Sequence, residues 1–113
     1  MPYISTTTNT KITTDKEKEL TKALGEVMQR VAGKSEEWLM LSFNDNARMA
    51  FRGDNADMAI LEVSFLGQFT ADVYDALTEE LCAVASKILG VPQNRIYIKY
   101  CPTATWGYDG FNF

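Results

Sequence analysis

At 113 residues with a formal charge of −4, 46% hydrophobic residues and no histidine, the chain has room for one domain around a single core, near the size at which oligomerisation helps bury surface. The acidic balance lacks the basic footprint that a phosphate backbone requires, so nucleic acid is not an expected partner. The absence of histidine excludes Ser-His and Cys-His triads and every His-based metal site, so an enzyme built on this chain needs a carboxylate, a lysine, a tyrosine or an amine terminus as its base.

The chain begins Met1-Pro2-Tyr3-Ile4 and continues through β-branched residues to Thr8, which predicts a first strand over 2–8. Pro2 has two readings there: a harmless strand start, or a residue wanted for its own chemistry. If processing removes Met1, Pro2 becomes a free secondary amine. An α-amino group titrates at about 7.7–8.0, and burial or a nearby cation moves it toward neutrality, where a general base works best.

Thr14 with Glu17 reads as a capping box opening a helix whose apolar stripe is Leu20, Leu24, Val27, Met28 and Val31, ending at Gly33. Trp38 to Phe43 is a short apolar run suited to a core strand. Asn44-Asp45-Asn46 closes it as a turn, since the remaining ligands of a calcium loop are missing. Arg48 to Phe51 is expected as a brief ribbon before Gly53-Asp54-Asn55.

From Met58 the plan starts again. A strand runs from Met58 to Leu66 and ends at Gly67. A helix over Ala71 to Leu89 carries Val73, Leu77, Leu81, Val84 and Ile88, and Gly90 caps it. A turn then leads into a strand over Arg95 to Tyr100. Two β-α-β units of this kind predict an α+β fold of one domain, residues 1–113, with a four-stranded mixed sheet and both helices on one face. The tail Trp106 to Phe113 is too apolar for a loose terminus, and contact with another subunit would explain it.

Three local features carry less than they suggest. Gly33-Lys34-Ser35 resembles the end of a phosphate-binding loop, but Met28 stands where the motif needs glycine, and the segment follows a helix instead of preceding one. Lys34 has two readings, a complement to the helix dipole or a point charge aimed into a cleft. Cys82 and Cys101, without any CxxC, read as buried thiols, and Glu36 and Glu37 read as solvated. No apolar run reaches the roughly 18 residues of a membrane span and the start carries no apolar signal segment, so a cytoplasmic protein without membrane insertion is expected.

Pro2, Gly33-Lys34, Phe65-Leu66-Gly67, Pro92-x-x-Arg95-Ile96-Tyr97-Ile98 and the closing Trp106-Gly107-Tyr108-Asp109-Gly110-Phe111-Asn112-Phe113 together resemble the macrophage migration inhibitory factor branch of the tautomerase superfamily. The closing segment is similar to that family's W-G-x-N-G-x-x-F, with Asp109 in place of Asn. The resemblance spans essentially the whole chain. It implies a homotrimer whose sheets form a central barrel with active sites between subunits, and a cofactor-independent isomerase acting on phenylpyruvate- or dopachrome-type substrates such as a small aromatic keto acid. By the same resemblance Pro2 is the catalytic amine, Lys34 binds the substrate carboxylate, and Leu66 offers its backbone N–H to substrate. Tyr97 reaches the pocket from the neighbouring subunit. Lys99 stands in place of a substrate-contacting asparagine, adding a cation that strengthens anion binding or depresses the Pro2 amine. Trp38 replaces a pocket tyrosine and Phe65 replaces a serine. Phe113, in the closing segment, has two readings, a substrate-binding aromatic lining an apolar pocket or a residue of core or interface packing. With Met58 and Leu61 where some members carry a CxxC, no oxidoreductase role is implied. The resemblance also implies an alternative: a cytokine-like binding protein that is secreted without a signal peptide and engages a cell-surface receptor.

Overall fold

The computed structural model describes residues 1–113. In chain order the elements are β1 (Pro2–Thr8), α1 (Thr14–Ala32), β2 (Met40–Asn44), β3 (Ala59–Leu66), α2 (Ala71–Leu89), β4 (Ile96–Thr103), β5 (Gly107–Tyr108) and β6 (Phe111–Asn112), with single 3-10 turns at Glu36–Trp38 and Gln93–Arg95. A helix between two strands returns the chain to the same end, so each β-α-β unit pairs its strands in parallel, β1 with β2 and β3 with β4. The two units join antiparallel through β1 and β3, giving one four-stranded mixed sheet in the order β2-β1-β3-β4. The expected α+β architecture with both helices over one face is what forms.

Strand alternation decides which residues meet the helices. Pro2, Ile4, Thr6 and Thr8 of β1 and Ala59, Leu61, Val63 and Phe65 of β3 are buried, while the residues between them are only partly covered. Leu20, Leu24, Val27 and Met28 of α1 and Leu77, Leu81, Ala85 and Leu89 of α2 complete the core. The α2 stripe is rotated from the expected one: Val73, Val84 and Ile88 are only partly buried, and Ala85 and Leu89 take the inner positions. Cys82 and Cys101 are free and partly exposed, not fully buried as expected.

Three boundaries differ from the sequence reading. The cap of α1 is Thr13, whose hydroxyl accepts from the Lys16 N–H at 3.2 Å, so Thr14 is already helical and no capping box forms with Glu17. The strand expected from Trp38 begins at Met40, because residues 36–38 are taken up by a 3-10 turn capped by the Ser35 hydroxyl. That strand is a sheet edge and not a core strand, and Met40 is 68% exposed. The ribbon expected at Arg48 to Phe51 reduces to a single bridge between Phe51 and Asp54.

Arg95 holds the connection that leads into β3. Its guanidinium donates to the carbonyls of Asp57 (2.9 Å) and Ala56 (3.0 Å) and to Asp54 Oδ1 (2.8 Å), and lies 5.3 Å from the centre of the Phe51 ring. Four contacts from one planar, permanently charged group pin a segment that has almost no ladder bonds of its own. Asn9 adds to this from just beyond β1, accepting from the Met58 N–H at 2.9 Å and donating to the Asn55 carbonyl at 3.0 Å.

The core contains one unmatched polar atom, the Thr6 hydroxyl, fully buried without a hydrogen-bond partner. The Thr8 hydroxyl two residues along the same face donates to the Met58 carbonyl at 2.7 Å. Burying an unpaired hydroxyl costs about 1–3 kcal/mol, and valine has the same shape without that cost. Thr6→Val is therefore expected to raise the unfolding free energy by about 1 kcal/mol, measured by chemical denaturation at one fixed protein concentration. Thr8→Val, which strands a carbonyl, should lower it. A loss of stability in Thr6→Val would show that the hydroxyl has a partner after all.

Candidate functional site

Pro2 begins β1 with its ring buried, paired across the sheet with Phe65. A proline at the first position of a strand gives up no needed ladder bond, so the position is tolerated locally. Leu66 is the last residue of β3 and follows Phe65 directly, so its backbone lies at the Pro2 end of the sheet. The chain then turns at Gly67, whose φ of 92° is one that side-chain-bearing residues rarely adopt, and Phe69 folds back to stack on Phe65 with ring centres 4.2 Å apart.

Lys34 reaches the same end from α1. Gly33 adopts the left-handed conformation (φ 66°), its N–H donates to the Gln29 carbonyl, and the Lys34 N–H donates to the Met28 carbonyl, both at 3.1 Å. These bonds fix the Lys34 backbone as the helix stops, and its ammonium lies 5.7 Å from the centre of the Phe69 ring. The α-amine of the chain, carried by Met1, is held below its ordinary range, first by burial and then by the positive charge of Lys34. Pro2, Leu66 and Lys34 therefore lie at one end of the sheet, around the Phe65–Phe69 stack.

A second group lies along the 3-10 turn and the tail. Trp38 meets the edge of Tyr108 at 5.2 Å, and Tyr108 stacks with Phe113 at 6.4 Å. The tail pairs with itself: Tyr108 and Phe111 flank a two-residue turn in which Asp109 (φ 51°) and Gly110 (φ 81°) are both left-handed, and the Phe113 N–H donates to the Trp106 carbonyl at 2.9 Å. Two expected site residues, Trp38 and Phe113, are therefore linked through Tyr108.

Tyr97 and Lys99 are not part of either group. Tyr97 pairs with Ile60, five residues along β3 from the Phe65 that faces Pro2, a separation of about 17 Å at the usual rise of a strand. It packs edge-on against Phe51 at 4.9 Å, over a shallow apolar hollow of about 140 Å³ that Met49, Met58 and Arg95 also line. Lys99 faces Glu62 across the β3–β4 ladder, 3.9 Å between charged atoms, both side chains largely open to solvent. Within one protomer Tyr97 is too far along the sheet to serve the Pro2 end, and the Lys99 charge faces Glu62.

Phe69 was not singled out in the sequence, although an aromatic in the short connection just after Gly67 marks a side chain held against the strand end. The sequence marks Arg95 as a strand start and part of a family motif and Phe51 as part of a ribbon, but neither as half of a contact between them. No group of three or more Cys, Asp and Glu side chains converges to hold a metal ion, and no helix is long and apolar enough to cross a membrane.

Comparison with known proteins follows the same outline. Residues 1–112 match the family described as macrophage migration inhibitory factor. A Xenopus laevis macrophage migration inhibitory factor is 30% identical over 98 residues, 84% of this chain and 81% of that protein. The crystal structure of Leishmania major MIF2 superposes with a TM-score of 0.94 at 29% identity, covering 100% of this chain and 97% of that one. A homologue from Prochlorococcus marinus superposes at 0.88 with 26% identity, covering 98% of each chain. The order of strands and helices, the match across nearly every residue and the agreement of whole folds lead to one conclusion: this chain belongs to the macrophage migration inhibitory factor family.

Proposed function

We propose that this protein is a cofactor-independent keto–enol tautomerase of aromatic α-keto acids of the phenylpyruvate type, with Pro2 as general base once Met1 is removed. The observation that carries the reading is the pairing of a buried strand-opening Pro2 with a chain amine whose protonated form is disfavoured by burial and by Lys34. Removal of Met1 transfers the amine to Pro2, which is more deeply buried, and both causes act in the same direction there. A base must be neutral to accept a proton, so a lowered amine pKa raises the active fraction near pH 7.

The neutral Pro2 nitrogen takes a proton from the carbon next to the keto group. The electrons left behind form the C=C bond, the carbonyl oxygen becomes an enolate, and the pyrrolidinium returns the proton to that oxygen. Nothing is oxidised or reduced, so no cofactor is called for. Lys34 holds the carboxylate, the Leu66 N–H contacts the substrate, and Trp38 and Phe113 cover its aromatic ring. Because Glu62 offsets the charge of Lys99, depression of the amine is assigned to burial and Lys34, and Lys99 is left as a contact at the rim.

The protein acts as a homotrimer with each site between two subunits, the neighbour supplying Tyr97 and Lys99. Support comes from the separation of Tyr97 from Pro2 in one protomer, the unpaired sheet edges at β2 and β4, and a terminal hairpin whose Phe111 is 78% exposed. It works in the cytoplasm.

Sedimentation is expected to give about three times 12.7 kDa, and Phe111→Ser should shift the protein toward monomer and reduce turnover. A fully active monomer would remove the shared site.

Lys34→Ala is expected to raise KM for phenylpyruvate about tenfold or more while changing KM for its methyl ester much less. The same change removes a cation beside the amine, so the rising limb of kcat/KM against pH should move upward toward the ordinary amine range. Equal losses on acid and ester would mean that Lys34 acts through folding.

Processed protein should turn over phenylpyruvate with a rate that rises with pH through a value below about 7.7–8.0. Pro2→Gly, which keeps a primary amine, should keep the fold and lose activity by about 10²-fold or more, and retained Met1 should abolish the base. Equal turnover by the processed and Met1-retained forms would rule out Pro2 as the base, and no turnover by the processed form would leave a receptor-binding protein on the same fold as the better reading.

A further inference from the structure

Lys34 sits at the mouth of the Pro2 end on a flexible four-carbon stem, and it forms no salt bridge in the structure. A carboxylate-binding ammonium free to sample its rotamers would lose entropy each time it captured a substrate. The one specific contact recorded for its Nζ is the face of Phe69, at 5.7 Å. That ring is itself held from two sides, stacked on the fully buried Phe65 at 4.2 Å and met edge-on by Tyr74 at 5.7 Å. Gly67 in its left-handed conformation turns the chain so that Phe69 returns over Phe65. A rigid aromatic plane is thus anchored in the core on one side and offers its negative face to a cation on the other.

We infer that Phe69 is a positioning residue for anion capture: its ring restricts the Lys34 ammonium to the Pro2 end of the sheet and so sets the affinity for the substrate's carboxylate. The inference rests on the proposed role of Lys34. Attraction by a neutral ring is the device suited to this place. A carboxylate partner would neutralise the lysine and compete with substrate, whereas a π face orients the ammonium and leaves its three donors available. It also keeps the cation's field on the amine, which a salt bridge would cancel.

The test compares Phe69→Leu, which keeps apolar bulk without a π face, with Phe69→Tyr, which keeps both. In the processed trimer, Phe69→Leu should raise KM for phenylpyruvate about two- to fivefold, with KM for the methyl ester changed less and kcat nearly unchanged, and Phe69→Tyr should restore the parent value. In a Lys34→Ala background Phe69→Leu should add nothing, because the residue through which it acts is gone. Two readouts need no turnover: the Lys34 ε-methylene protons should lie upfield from ring current in the parent and in Phe69→Tyr but not in Phe69→Leu, and the Kd for phenylpyruvate from NMR titration should follow the same order. A protein that binds phenylpyruvate in this pattern without converting it would overturn the tautomerase reading and uphold Phe69. Equal effects on acid and ester, a Phe69→Leu effect that persists without Lys34, or unshifted Lys34 protons in the parent would overturn the role given to Phe69.

Discussion

The antiparallel ladder between β1 and β3 is the constraint on which the rest depends. It runs from Pro2 opposite Phe65 to Thr8 opposite Ala59, and it is the only seam between the two β-α-β units within the sheet. Because side chains alternate along a strand, a slip of β3 by one residue against β1 would turn Leu61, Val63 and Phe65 away from the helices and put Glu62 and Ser64 in their place. Core burial therefore locks the register, and the locked register sets Pro2 against Phe65. The same packing that stabilises the fold buries the residue with distinctive chemistry at its end.

Local charge at that end is one-sided. Lys34 approaches the chain amine with no carboxylate beside it, and burial acts on the amine in the same direction. Three cations elsewhere are paired: Arg30 with Glu80 between the two helices, Arg95 with Asp54 and a set of carbonyls, and Lys99 with Glu62. Exposed pairs such as Arg30–Glu80 contribute little to stability. Lys34 is in no ion pair and is the cation that acts on the chain amine at the Pro2 end.

The protomer also leaves surfaces unused. The second face of the sheet is polar, with the Tyr3 hydroxyl bonded to Ser42 at 2.7 Å and Glu62 facing Lys99, and no helix covers it. Both outer strands keep an open edge, and Pro102 in β4 fits only because β4 has one. Met40, Tyr97, Phe111 and Phe113 are exposed on elements that project from the core.

Helix α1, both parallel crossovers and the alternation of β1 and β3 were legible in the sequence, because each is dictated by short-range periodicity and by glycines at helix ends. Pro2, Leu66 and Lys34 were marked in the sequence only through the family resemblance of the ordered set of motifs, and their lying at one end of the sheet is a result of the fold. Other features were decided only by tertiary structure. Trp38 left the strand because the Ser35 hydroxyl capped a 3-10 turn, a local competition that hydrophobicity does not register. Thr13 displaced Thr14 as the cap because either hydroxyl suits the position and only the path out of β1 chooses between them. The Asp109-Gly110 turn carried a hairpin signal in its residues, but its packing against Trp38 depends on where the chain end returns. The partners of Lys34 and Lys99 follow from the same cause. A lysine's neighbours are set by register and loop path, so the sequence marks two similar cations, while the fold pairs Lys99 with Glu62 and rests Lys34 on the ring of Phe69.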